Sequence, residues 1–149
     1  MSTVRLAIVD DAAGRAAALA LLAERAERFN TGALPIADRC AQADIFSVEE
    51  SGVLVGYYAI EARKSEAGKI EGFILAAAGV PNIGALFVMR RIWPLIERQF
   101  IDAETVALAT RRRAMVREAE RQGYREAETL AAGVVMRKWL EAGNALRPL

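Results

Sequence analysis

Glu61, Glu71, Tyr57, Tyr58, Cys40 and the run Arg111-Arg112-Arg113 are the side chains whose types and spacing could support chemistry in this sequence. Histidine is absent from all 149 residues, which removes Ser-His triads, Cys-His dyads and His-based zinc sites. Any proton transfer must then use carboxylates, tyrosine, cysteine, positioned backbone or water. Glu61 and Glu71 sit at the ends of apolar runs, where a solvated strand-end charge is the plainer reading. Tyr57 and Tyr58 are neighbours, so on a strand they face opposite sides, one packed and one free to line a surface. Cys40 has no histidine to activate it and reads as a small packed hydrophobe. The carboxylates show no metal-ligand spacing, so no metal is expected.

Three cations at the start of a helical segment oppose the sign of the helix dipole. Arg111, Arg112 and Arg113 suit phosphates, of a small ligand or of nucleic acid. The plainer alternative is a solvated run balanced by Glu118 and Glu120, and Arg90 and Arg91 carry the same ambiguity. A net charge of +1 gives no global drive toward nucleic acid or an anionic membrane. Nucleic acid is therefore expected as a partner only through the arginine run, and a membrane not at all.

The elements that must position these groups follow from composition and periodicity. Hydrophobic residues make up 54% and charged residues 26%, the balance of a folded globule of one domain, 1–149. No apolar run reaches the roughly 20 residues of a membrane span. One cysteine and an N-terminus without an apolar leader make the cytoplasm the expected compartment.

A strand is predicted over 4–9, followed by a helix over 12–29 that opens at Asp10-Asp11. A second helix over 35–43 begins at Pro35. Strands over 45–49 and 53–63 join through Glu50-Ser51-Gly52 as a hairpin, and a third covers 70–78. The loop Gly79-Val-Pro-Asn-Ile-Gly84 leads into a helix over 85–100, kinked at Pro94. A short strand over 105–109, a helix over 111–122 capped by Thr110 and closed by Gly123, and strands over 124–130 and 133–140 complete the order before a loose tail to Leu149. This predicts an α/β (α+β) fold: a central mixed, mostly antiparallel sheet of about seven strands flanked by about four helices.

That order resembles the GNAT superfamily of N-acetyltransferases. The local match is Thr105-Val-Ala-Leu-Ala-Thr-Arg-Arg-Arg-Ala-Met-Val-Arg-Glu-Ala-Glu-Arg-Gln-Gly-Tyr124, continuing to Val135-Met-Arg-Lys138. Ala114 takes the family's small helix position and Gly123-Tyr124 stands for its Gly-Phe. The compact Thr-Arg-Arg-Arg-Ala-Met form and the Ala76-Ala-Ala-Gly79 strand end are also similar to small phage and prophage GNAT-like proteins.

The resemblance implies an acyl-CoA-dependent N-acyltransferase, using acetyl-CoA or another acyl-CoA on a small-molecule or protein amine. It assigns the pantetheine amides to the backbone of Leu75, Ala76 and Ala77, with close approach at Gly79. The diphosphate falls to the helix opening at Ile83, Gly84 and Ala85, with Arg111 as a phosphate cation. Glu71, Glu61 and Tyr57 are the candidates for deprotonating the amine or lining the acceptor cleft. Two departures stand out. Val80-Pro81-Asn82-Ile83-Gly84-Ala85 lacks the basic or amide residue of the family's diphosphate loop, and Ala119 replaces its acid tyrosine. They motivate the alternative, a catalytically inactive GNAT-like binding or assembly protein that associates with itself.

Overall fold

The computed structural model describes residues 3–140; the predicted C-terminal tail lies outside them. Seven strands form one sheet in the order β1-β2-β3-β4-β5-β7-β6: β1 (Val4–Ile8), β2 (Asp44–Glu50), β3 (Val53–Lys64), β4 (Ile70–Gly79), β5 (Thr105–Thr110), β6 (Arg125–Leu130) and β7 (Gly133–Trp139). Every pairing is antiparallel except β4 with β5. Four helices, α1 (Ala12–Ala26), α2 (Ile36–Arg39), α3 (Ala85–Glu97) and α4 (Arg113–Arg121), accompany it. This is the mixed, mostly antiparallel sheet the element order predicts.

The sheet divides two apolar layers. On one face Ala18 and Leu22 of α1 and Ile36 of α2 pack on Ile45, Ala59, Leu75 and Ala78. On the other, Val88, Met89, Ile92, Trp93 and Ile96 of α3 pack with Ala119 of α4 on Tyr58, Ile60, Ile74 and Met136. With both faces of β3 and β4 covered, these strands read as nearly continuous apolar runs.

Helix boundaries differ from the sequence reading for local reasons. Asp11 caps α1 as expected, its carboxylate accepting from the Gly14 N–H at 2.8 Å. The regular helix stops at Ala26, and Glu27–Phe29 tighten into a 3-10 turn. The second helix shrinks to one turn because the chain must enter β2 at Asp44, with Cys40 and Ala43 both buried on the way.

α3 passes through Pro94 and ends at Glu97, three residues short of the predicted end. Thr110 does not cap α4 in the expected register. Its hydroxyl accepts from the Arg112 N–H at 3.1 Å, and helical geometry begins at Arg113. The far end follows the sequence: Gly123 takes a φ of 95°, while the Tyr124 and Gly123 N–H groups return to the Ala119 and Glu120 carbonyls at 2.9 and 3.0 Å, a Schellman closure.

Candidate active-site cleft

The parallel ladder between β4 and β5 runs from Glu71↔Thr105 to Ile74↔Leu108 and stops, although β4 continues to Gly79 and β5 to Thr110. The register of β3 on β4 gives the cause. Ala59 faces Ala76 and Ile60 faces Ile74, leaving Leu75 as an extra residue that bulges β4. A bulge bends its strand and increases its twist, here where the two strands separate. Beyond it the short side chains of Ala76, Ala77 and Ala78 leave space between the strands.

That space is a cleft of about 80 Å³ crossing the sheet between its two helical layers. Leu75, Ala76, Ala77, Ala109 and Thr110 form its strand walls. Ala85 and Met89 of α3 and Met115 of α4 close one side, and Phe29, Asn30, Thr31 and Arg39 close the other. On the side facing β5, the backbone groups of β4 after Ile74 have no strand partner among the described residues, so they are available to a ligand.

The loop from β4 to α3 is folded tightly. Val80 to Ile83 form a turn closed by an N–H to carbonyl bond of 2.9 Å. Pro81 occupies its second position and Asn82, at φ 74°, its third, the arrangement of a type II turn. Gly79 is required because a Cβ there would collide with the Ile83 carbonyl oxygen. Gly84 caps α3 with no side-chain partner for the first N–H groups, so this helix start carries free donors and partial positive charge. Arg25 of α1 donates to the Ile83 carbonyl at 3.4 Å, bringing a cation beside the loop.

On the other side of the sheet the cleft adjoins a larger chamber of about 390 Å³. Arg39, Leu75, Leu108 and Ala109 border both spaces. Leu34, Phe73, Leu130 and Val135 make its walls largely apolar, and Arg63 enters from β3. The Arg63 guanidinium lies over the Phe73 ring, 4.4 Å from its centroid.

The residues singled out in the sequence distribute unevenly over this arrangement. Leu75, Ala76, Ala77 and Ala85 line the cleft, whereas Ile83 and Gly84 border a separate surface hollow with Phe87. Arg111 is exposed and outside the cleft wall; Arg112 forms part of it. The Arg112 guanidinium lies 5.2 Å from the Phe29 ring centroid, with Arg28 over the same ring at 4.7 Å. Of the three arginines only Arg112, whose N–H donates to Thr110 at the helix cap, lines the cleft.

Glu71 stands at the closed end of the β4/β5 ladder, three residues before the separation and about 10 Å along the strand. Its carboxylate accepts from Arg137 at 2.6 and 3.1 Å and from Thr105 at 2.6 Å. Burial raises its pKa, but the Arg137 and Thr105 hydrogen bonds outweigh that and hold it below the ordinary value. Glu71 therefore clasps β4 to β5 and β7.

Tyr57 is partly buried against the α1 layer. Tyr58 is fully buried on the opposite face, donating to Gln99 at 2.7 Å. Glu61 is ion-paired with Arg63, whose Nε lies 2.8 Å from its carboxylate; Arg63 lines the chamber, whereas Glu61 borders a separate hollow with Asp44, Gln99 and Phe100. Arg39, Arg63, Phe29 and the Asn30-Thr31 segment were not assigned from sequence. Asn30-Thr31-Gly32 signals only a helix stop, and no local pattern brings it against the end of β4.

No family model matches the chain, and no curated protein sequence matches it. Its architecture does match solved structures. An acetyltransferase of the GNAT family from Streptococcus pneumoniae aligns with 93% of this chain and 100% of its own, at 13% identity and TM-score 0.55. Arabidopsis thaliana Naa50, solved with the bisubstrate analogue CoA-Ac-MVNAL, covers 92% and 99% at 14% identity and TM-score 0.63. FeeM, an N-acyl amino acid synthase from uncultured soil microbes, covers 93% and 91% at 11% identity and TM-score 0.65. The chain thus has the GNAT fold. These likenesses lend no support to the narrower phage-type resemblance.

Proposed function

We propose that this chain is an N-acyltransferase that takes its acyl group from an acyl-CoA and delivers it to an amine. The observation that carries the reading is the separation of β4 from β5 after Ile74 and Leu108, which opens a narrow cleft through an otherwise continuous sheet. Similar structures include one solved with a CoA-containing bisubstrate analogue, which supports acyl-CoA as the donor.

The cleft suits such a ligand in four respects. Its apolar walls accept a slender aliphatic arm, and the unpartnered backbone at Leu75, Ala76 and Ala77 provides amide-binding groups. At the α3 end, the N–H groups opening at Ala85 attract a diphosphate. Arg112 provides cationic charge in the wall, and Arg25 does so beside the loop, compensating for the absence of a basic residue between Val80 and Ala85.

Bound acyl-CoA supplies a thioester whose carbonyl carbon is open to attack by an amine. In this reading Leu75 and Ala109 hold that carbonyl at the junction of cleft and chamber, and the amine approaches from the chamber. Glu61 accepts the amine proton through water, with its ion pair to Arg63 orienting the carboxylate. The amine forms the amide bond as the carbon–sulfur bond breaks. The thiolate leaves unaided and takes a proton from solvent, since buried Ala119 occupies the acid tyrosine's place.

Calorimetry with CoA and acetyl-CoA tests the donor assignment: saturable binding with a rise in Tm is expected. Absence of both at millimolar ligand would remove the reading and leave a non-catalytic GNAT-fold binding protein. Thiol release from acetyl-CoA with a panel of primary amines tests turnover. Glu61→Gln is expected to lower kcat by about 100-fold with little effect on CoA affinity.

A further inference from the structure

Arg39 differs from the other arginines around the cleft. It borders both the narrow cleft and the chamber, is half-buried, and has no carboxylate within salt-bridge distance among the described residues. Its one side-chain hydrogen bond among those residues runs from Nη1 to the neutral Asn30 amide oxygen at 2.9 Å. A guanidinium offers five donors, so most of its capacity remains unused in a partly apolar enclosure.

The side chain is nevertheless held in place. The Asn30 Oδ1 that accepts from Arg39 also accepts from the Gly32 N–H at 3.0 Å. The Asn30 amide nitrogen donates to Glu27 at 2.8 Å and to the Leu34 carbonyl at 2.6 Å. Glu27 in turn accepts from the Ile36 N–H at 2.8 Å. This network ties the end of α1, the connecting segment and α2 into one frame around the guanidinium; the direct partner is the neutral Asn30 amide, and the Glu27 carboxylate stands one hydrogen bond beyond, within reach of the Arg39 charge. Such a frame reduces the ordering cost when an anion binds.

The opposite sign of charge lies close by. Burial pushes the Cys40 thiol up to about 11, with Arg39 lowering and Glu61 raising its pKa. Arg63, which lines the chamber with Arg39, is ion-paired with Glu61, and this brings a carboxylate to the β3 side of that space. Phe73, Leu34 and Leu75 line the chamber together with Arg39, apolar surface for an uncharged body.

We infer that the chamber selects an amine that also carries a carboxylate, of the size of an α-amino acid with an apolar side chain. Arg39 receives the carboxylate through its free N–H groups, the apolar side chain rests on Phe73 and Leu34, and the amine faces Leu75 and the water next to Glu61. The chamber of about 390 Å³ suits a ligand of that size. This inference rests on the acyltransferase reading for its consequence, since it names the acceptor, but not for its test.

L-leucine and L-leucinamide differ in the carboxylate alone, and their binding to the full chain can be compared by calorimetry at low salt without CoA. Leucine is expected to bind at least about tenfold more tightly, the effect of one charge-assisted guanidinium–carboxylate contact. Arg39→Gln should abolish the preference and Arg39→Lys retain part of it. Equal affinities for acid and amide, no saturation by leucine at tens of millimolar, or a preference that survives in Arg39→Gln would overturn the inference. The comparison in the unsubstituted chain decides the matter even if the variants fold poorly. A chain that prefers leucine but ignores CoA would retain the chamber assignment and lose the acyltransferase reading; CoA binding without the preference would do the reverse.

Discussion

Ile74 and Leu108 are the last residues paired in the parallel β4/β5 ladder, and everything specific to the cleft begins beyond them. If the space is used by a ligand, filling it should remove binding while leaving the fold. Ala109 is the residue to enlarge, since it lines both cleft and chamber. In Ala109→Phe the ring can enter the opening rather than a packed core, so destabilisation should stay near the lower end of the roughly 1–3 kcal/mol typical of overpacking. CoA affinity measured by calorimetry should fall by at least about tenfold. An unchanged affinity in a folded variant would show that the ligand lies elsewhere.

The closed end of the same ladder predicts a pH effect on stability. Glu71 has a folded pKa below its unfolded value of 4.5, so its stabilisation is fully present above about pH 4.5 and is lost as pH falls through the lower folded value. The carboxylate and Arg137 are 22% and 30% exposed, so solvent screening limits the net contribution to about 1 kcal/mol. Urea unfolding of Glu71→Gln should show that loss at pH 7 and a smaller loss at pH 3. An equal loss at both pH values would place the effect in packing rather than charge.

The sequence and the structure agree best where one residue sets one local geometry. Gly123 ends α4 because a left-handed residue must stand there, and Ser51-Gly52, at φ 52° and 83°, turn the β2/β3 hairpin as two-residue loops do. Of the small residues from Ala76 to Gly79, Ala76 and Ala77 line the cleft, while Ala78 packs in the α1 layer. The chamber was not legible because its cation and rim come from segments far apart in the chain: Asn30 and Arg39 meet the ends of β3 and β5 only through the folded sheet. The Leu75 bulge was similarly hidden, since it is a property of the β3/β4 register and not of any residue type. Glu71 looked like a solvated strand end because Arg137, its partner, is 66 positions away.

Cys40 was read as a packing residue, and its surroundings make that measurable. It is fully buried beneath α1 and α2, and desolvation pushes its thiol up to about 11, so at pH 8 it is both shielded and protonated. Reaction with a disulfide reagent should follow the opening of the α1/α2 layer rather than a bimolecular rate law, and become rapid only in denaturant. Immediate stoichiometric labelling of the native chain would contradict the packing of this layer.

Arg112 and Arg111 adjoin in sequence and part in structure, which gives a paired test of where phosphate lies. Arg112 caps α4, lines the cleft and is steadied by the Phe29 ring, whereas Arg111 is exposed. A phosphate at the mouth should lose a charge-assisted contact in Arg112→Ala, weakening CoA by about five- to twentyfold. Arg111→Ala should cost about twofold or less, since an exposed cation acts through a screened field. Removing the phosphates sharpens the comparison: pantetheine, which has none, should bind the parent and Arg112→Ala equally. If Arg111→Ala is the more damaging variant for CoA, the ligand enters along the outer side of α4 and the cleft wall formed by Arg112 is not its phosphate site.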